Sequence, residues 1–198
     1  MEHRIVCFNS RNKDNNHLKD QGYRQRSYSF LTAKMPDELM DKFHSFVERG
    51  LNGEVSRFYI SVNTRNHDKA LQELTVALVR GEISDLSKIE GKVASIAGKK
   101  ECRGSRLFLL DCDCDENEFG IIKEYLNRQN VVVIKQIKTK NNYALITQPF
   151  DPGMLNVADK RWHSPLNKDK MELWDALNKI THHIDDYEYV TCATKGAL

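Results

Sequence analysis

Arg106-Leu107-Phe108-Leu109-Leu110-Asp111-Cys112-Asp113-Cys114-Asp115 is an apolar run that ends in three acidic residues at alternate positions. In an extended strand successive side chains point to opposite faces. Asp111 and Asp113, and Asp115 if the strand lasts that long, therefore project to one side, while Cys112 and Cys114 fall on the other as small core residues. Two carboxylates at one strand end are hard ligands suited to a Mg²⁺ or Mn²⁺ ion that also binds substrate phosphates. The plainer reading is a buried strand that stops in a polar turn, with Asp115 capping the next helix.

Working outward, Phe119, Ile122, Tyr125 and Leu126 keep a helical period, with Asp115 or Asn117 as the cap and Asn130 as the end. Val131 to Lys140 is rich in β-branched residues and predicts a strand, Asn141-Asn142 a two-residue hairpin turn, and Tyr143 to Gln148 a returning strand that Pro149 stops. The order strand, helix, strand, tight turn, strand points to an α+β fold, an RRM- or ferredoxin-like antiparallel-rich sheet with helices packed on one face.

Upstream, Arg4 to Phe8 predicts a short strand, followed at 9–21 by a polar loop too poor in apolar residues to build a core and expected to be mobile. Residues 22–31 set Tyr23, Gln25 and Ser27 against Arg24, Arg26 and Tyr28. That pattern suits either an exposed edge strand or a contact with phosphate and bases. Pro36-Asp37-Glu38 opens a helix whose apolar face runs from Leu39 to Leu51. Arg57 to Asn63 predicts a strand, and Asn66 or Asp68 caps a helix to about Arg80. The segment 82–100 carries helical spacing weakened by Gly91 and Gly98. After a long connection at 151–168, Met171 to Ile180 predicts a last helix, with His182 and His183 as surface residues at its C-terminus, and Tyr187 to Thr191 a last strand.

The chain of 198 residues is long enough to bury a core and is expected to form a single domain, 1–198. Basic and acidic residues, 30 and 28, nearly cancel, so any nucleic-acid contact must come from local clustering rather than overall charge. The five cysteines lack paired C-x-x-C spacing, which argues against a zinc site. No apolar run approaches membrane-spanning length and the N-terminus lacks a signal-peptide core, so a cytoplasmic location without membrane contact is expected.

Leu109-Leu110-Asp111-Cys112-Asp113, followed by a helix and the hairpin Ile137 to Phe150, resembles the palm core of the archaeo-eukaryotic primase-polymerase superfamily, whose first motif is an apolar strand ending in Asp-x-Asp. The likeness covers roughly residues 106–151. It implies an RRM-like palm, Mg²⁺ or Mn²⁺ held by Asp111 and Asp113, and metal-dependent nucleotidyl transfer onto nucleic acid, with nucleotides and nucleic acid as partners. Asp185, in Ile184-Asp185, matches the short third motif and is implied as a further catalytic carboxylate. The second motif, which places a histidine on the nucleotide phosphates, is altered: Ala144 stands at that position, and Lys138 or Lys140 would replace part of the charge. This departure implies a divergent or degenerate relative.

Two alternatives compete. A non-catalytic RRM-like module binding nucleic acid or protein would use dispersed basic and aromatic residues, Arg24, Arg26, Lys138 and Lys140 among them. A haloacid-dehalogenase-like phosphatase shares the Asp-x-Asp strand, but Asp115 departs from its pattern and too little chain follows for its larger parallel fold. A calcium loop fails because Glu116 occupies the required glycine position and Ile122 that of the terminal glutamate. Oligomeric state is not legible in the sequence.

Overall fold

A computed structural model describes residues 2–139, 142–155, 168–183 and 186–197. In chain order the elements are β1 (Arg4–Ser10), β2 (Arg26–Thr32), α1 (Met40–Glu48), β3 (Val55–Ser61), α2 (His67–Val79), α3 (Ile89–Ala97), β4 (Phe108–Cys112), α4 (Glu116–Arg128), β5 (Val133–Lys138), β6 (Tyr143–Thr147), α5 (Lys168–Leu177), β7 (Ile180–His183) and β8 (Tyr187–Thr194). They form an α+β protein with two four-stranded sheets, and the ladders in both are antiparallel. The chain divides into two compact units: residues 1–105 with 187–198, and residues 106–186.

In the 106–186 unit the strand order is β5-β6-β4-β7. Two split β-α-β crossovers interleave to give this order, so β4, the acidic-ended strand, lies in the middle. Leu110 and Cys112 on β4 and Leu145 on β6 point to one face, where Phe119, Ile122 and Leu126 of α4 and Ala176 and Leu177 of α5 pack on them. Leu110, Ile122, Leu126 and Leu145 are fully buried, each stabilising by about 1.5–3 kcal/mol. Asp115 settles the cap: its carboxylate accepts from the Glu118 N–H at 2.9 Å, and the Glu118 carboxylate accepts from the Asp115 N–H at 3.1 Å, a reciprocal capping box. The exit from α4 uses Asn130 at φ 57°, and the Val131 N–H still bonds back to Leu126. For that reason β5 starts at Val133 rather than Val131. β5 ends at Lys138 and β6 begins at Tyr143, with the Thr139 N–H donating to the Asn142 carbonyl and the Asn142 N–H to Thr139 Oγ1; Asn141 of the expected turn lies outside the described residues. His182 and His183 are not at a helix end. They lie on β7, paired with Leu110 and Leu109, because α5 stops at Leu177.

The other unit has the order β2-β1-β3-β8, with β2 at the edge as its sequence pattern allowed. Helices here cover both faces. Val6, Phe8, Phe30, Phe58 and Ile60 meet Phe43, Phe46 and Val47 of α1 on one side. The alternate residues Ile5 and Leu31 join Ala70 of α2 and Ala94 and Ala97 of α3 on the other. Phe8 is the hub of the first core, its ring 5.0 Å from Phe58 and 5.2 Å from Phe43. Asn66 caps α2 by accepting from the Lys69 N–H at 2.9 Å.

The 9–21 segment departs from expectation. It folds into two turns of 3₁₀ helix, Asn12–Asp14 and Asn16–Gln21, with Leu18 buried. Its anchor is Asn15, whose side-chain amide imitates a strand partner: Nδ2 donates to the Val55 carbonyl at 3.0 Å and Oδ1 accepts from the Val55 N–H at 2.7 Å. A fully buried amide satisfied this way orders the loop without an apolar core.

Candidate functional site

The alternation expected of the acidic strand holds. Cys112 and Cys114 are in the helix-side core, Asp111 is half-buried on the opposite face, and Asp113 is exposed just beyond the strand end. Burial raises both thiols, Cys114 to about 11 and Cys112 further, so neither supplies a thiolate at neutral pH. Asp115 leaves the carboxylate set because its side chain is committed to the cap.

Register defines the surroundings of Asp111. Its direct cross-strand neighbours are Ala144 on β6 and Thr181 on β7. The residue beside the first acidic position is therefore alanine, at the place where the family resemblance asks for histidine. One row away on the same face are Leu109, Ile146, Lys135 and His183. His183 Nδ1 lies 3.1 Å from Asp186 Oδ2. Asp113 is held at the hairpin end: its N–H donates to the Lys179 carbonyl at 3.0 Å, and one carboxylate oxygen accepts from the Asn142 side-chain amide.

Lys138 does not join this face. It pairs with Tyr143, which pairs with Cys112, so all three share the helix side. Its ammonium sits 5.9 Å from the Tyr143 ring centroid, and Tyr143 stacks on Phe119 at 4.4 Å. Alternation along β5 places Lys135 on the Asp111 face instead, a residue that reading the hairpin by charge alone missed. His182 also turns to the helix side, 4.5 Å from the Phe108 ring, where burial and then the neighbouring His183 lower its pKa. The two histidines point to opposite faces and cannot share an ion. Lys140 and Asp185 lie outside the described residues.

Arg24 and Arg26 belong to the other unit. Arg24 is exposed in the segment before β2. Arg26 is a structural clamp: Nη2 and Nε reach Glu54 Oε1 at 2.6 and 2.9 Å, Nη1 donates to the Phe46 carbonyl at 3.2 Å, and the guanidinium lies 4.3 Å from the Phe46 ring centroid. Gly50 makes room for that pair, since a Cβ there would come within 2.7 Å of both Arg26 Nη2 and Glu54 Oε2.

Among the described residues no group of three or more His, Cys, Asp or Glu side chains is arranged to hold a metal ion. What the strand end offers is a pair of carboxylates. That number fits Mg²⁺ or Mn²⁺, which commonly binds through one or two carboxylates and takes its other ligands from water and phosphate oxygens. Among the described residues the ladders of this unit are antiparallel. Comparison of the chain with protein-family profiles and with curated proteins gives no match.

Proposed function

We propose that the 106–186 unit is a divergent palm of primase-polymerase type that binds Mg²⁺ or Mn²⁺ together with nucleoside triphosphate, and in which nucleotidyl transfer is lost or strongly reduced. The observation that carries this reading is the position of Asp111 and Asp113 at the end of the central strand, on the face free of α4 and α5, with Ala144 directly beside Asp111. Asp111 and Asp113 would hold the cation, which would neutralise phosphate charge and lower the pKa of an attacking hydroxyl. Asn142, bonded to Asp113, orients that carboxylate. Ala144 has no hydrogen-bond donor to place on a phosphate, which removes part of the stabilisation that phosphoryl transfer draws from fixed donors.

A second reading, a binding module without chemistry, is favoured by the same Asn142 contact, which occupies one Asp113 oxygen with a protein donor. A cytoplasmic site of action goes with either reading. No helix among the described residues is long and apolar enough to cross a membrane.

Mn²⁺ titration by calorimetry tests the site. Binding is expected for the wild type and absent for the double variant Asp111→Asn/Asp113→Asn, and equal heats in both proteins would remove the metal site. A nucleotide-incorporation assay on primed and unprimed templates then separates the readings. Metal binding without incorporation is expected, whereas rapid incorporation would show that Ala144 does not limit the chemistry.

A further inference from the structure

The other unit carries a polar surface that the acidic strand end does not explain. On β1 and β3 the residues that alternate with the Phe8 core include Cys7 and Asn9, paired with Tyr59 and Arg57, and β8 places Tyr189 beside Tyr59 and Cys192 beside Arg57. The apolar contacts of α2 and α3 on this face gather around Ile5, Leu31 and Tyr187, and α3 runs on past Ser27 and Ser29 of β2, whereas Arg57, Tyr59 and Tyr189 lie on β3 and β8. The ordered 9–21 loop adds Arg11 and Asp14. One carboxylate serves two guanidiniums: Asp14 lies 3.0 Å from Arg11 Nε and 2.5 Å from Arg57 Nη2. The cluster therefore keeps one uncompensated positive charge. It also keeps unspent hydrogen-bonding capacity, because Arg11 Nη2, Arg57 Nε and Asn9 Oδ1 are shielded from solvent and have no hydrogen-bond partner among the described residues. Buried polar atoms are nearly always paired, and three exceptions in one cluster call for a reason. Beside them Tyr59 and Tyr189 meet edge to face at 6.0 Å, and the Arg11 guanidinium lies 5.9 Å from the Tyr59 ring centroid.

We propose that this face is a binding site for a nucleoside phosphate, with the phosphate received by Arg11 and Arg57 and the base stacked against Tyr59 or Tyr189. Arginine forks match phosphate oxygens, and tyrosines on sheet strands are platforms for unstacked bases in single strands. A purely acidic peptide would use the charge but leave the aromatic pair without a role. The site is separate from Asp111 and Asp113 and does not rest on the palm reading. Its ligand is either a free nucleotide or one residue of a single strand, which share this chemistry.

The test is fluorescence anisotropy of a labelled oligothymidylate in EDTA, competed with unlabelled adenosine 5′-monophosphate. Wild type and Asp111→Asn/Asp113→Asn are expected to bind equally. Arg57→Gln and Tyr59→Leu should each weaken binding by about tenfold, and Asp14→Asn, which removes the neutralising carboxylate, should tighten it. Complete competition by the mononucleotide identifies a nucleotide site, and retention of the strand identifies a single-strand site. Since Arg57→Gln also cuts the Asp14 contact that ties the loop, a second measurement uses unaltered protein: the oligonucleotide should slow alkylation of Cys192, which sits beside Arg57. Absent binding, wild-type affinity in both folded variants, equal displacement by polyglutamate, or an unprotected Cys192 would each overturn the proposal.

Discussion

The two sheets have the same number of strands and the same antiparallel pairing, yet they are held together by different means. Residues 106–186 close their turns locally: Asp115 with Glu118, Thr139 with Asn142, and Asp151 with the Gly153 N–H at 2.9 Å. Their longer-range side-chain bonds, Asn142 to Asp113, Tyr125 to the Met154 carbonyl and Lys179 to Glu118, lie at exposed or half-buried positions. A single apolar layer under α4 and α5 does most of the rest. The unit built from 1–105 and 187–198 is clamped by polar side chains that reach far along the chain, Asn15 to Val55, Arg26 to Glu54 and Asp14 to Arg57. A unit with helices on both faces has few places for a long loop to pack. Its loops are tied by buried hydrogen bonds instead, and each such tie is costly to cut because the partner is left unpaired.

The largest expected effect follows from the Glu54 clamp. Glu54 is 2% exposed and accepts from Arg26 and from the Leu51 N–H at 2.9 Å. Glu54→Gln removes the charge and leaves the Arg26 guanidinium without its counter-ion, a loss of about 3 kcal/mol. Acid should reproduce it. Burial alone would raise the Glu54 pKa, but the Leu51 N–H and Arg26 outweigh it and hold the carboxyl below the usual glutamate range; burial would likewise raise Asp14, but Arg57 and Arg11 hold it below the usual aspartate range. A depressed folded-state pKa gives stability that is full above the unfolded value and is lost as pH falls through the folded value. Urea denaturation should therefore show Glu54→Gln well below wild type at neutral pH, with the gap closing under acid. A deficit of the same size in acid as at neutrality would mean that the carboxylate charge is not what clamps the loop.

The next effect concerns Asn15. Asn15→Ala deletes both bonds to Val55 and leaves a strand-end N–H and carbonyl unanswered, about 2 kcal/mol. Asn15→Asp keeps the acceptor but turns a buried carboxylate oxygen onto the Val55 and Arg11 carbonyls, so at neutral pH its deficit should be at least as large. Hydrogen exchange of the Val55 amide reads the effect directly: strong protection in the wild type, fast exchange in the alanine variant. Protection that survives Asn15→Ala would show that the 9–21 loop is ordered by something other than this amide.

This contrast also explains what the sequence could disclose. Cys112 and Cys114 were legible as core, and Asp111 and Asp113 as the outward face, because a two-residue period needs only neighbours. The Asp115 capping box was legible as one of two options for the same reason. Asn15 was not, since the residue it serves is 40 positions away and nothing in a polar run marks one asparagine as buried. Arg26 looked like a nucleic-acid contact because Glu54, its partner, is equally remote. Lys138 and Lys135 show a subtler failure: their charge was visible, but the irregularity between Val133 and Lys135 and the pairing of Lys138 with Tyr143 decide which face each lysine takes. The helical spacing that runs on to Ile180 puts His182 and His183 at a helix end. Pairing with Leu109 and Leu110 overrides that local preference.

The smallest effect is the most useful for separating structure from chemistry at the acidic strand. Asp115→Ala breaks the capping box of α4 and should cost about 1 kcal/mol, with Mn²⁺ binding unchanged, because the Asp115 carboxylate is turned to the Glu118 N–H. Asp113→Asn should do the reverse: the amide keeps an oxygen for the Asn142 donor, so stability barely moves, while the loss of charge weakens the ion. The three aspartates share a face by sequence but divide by role, since the strand ends at Cys112 and the helix begins at Glu116. A melt and a metal titration on the two single variants therefore form a crossed pair. If Asp115→Ala also lost Mn²⁺, the cation would have to sit at the helix N-terminus rather than between Asp111 and Asp113, and the palm comparison would lose its anchor.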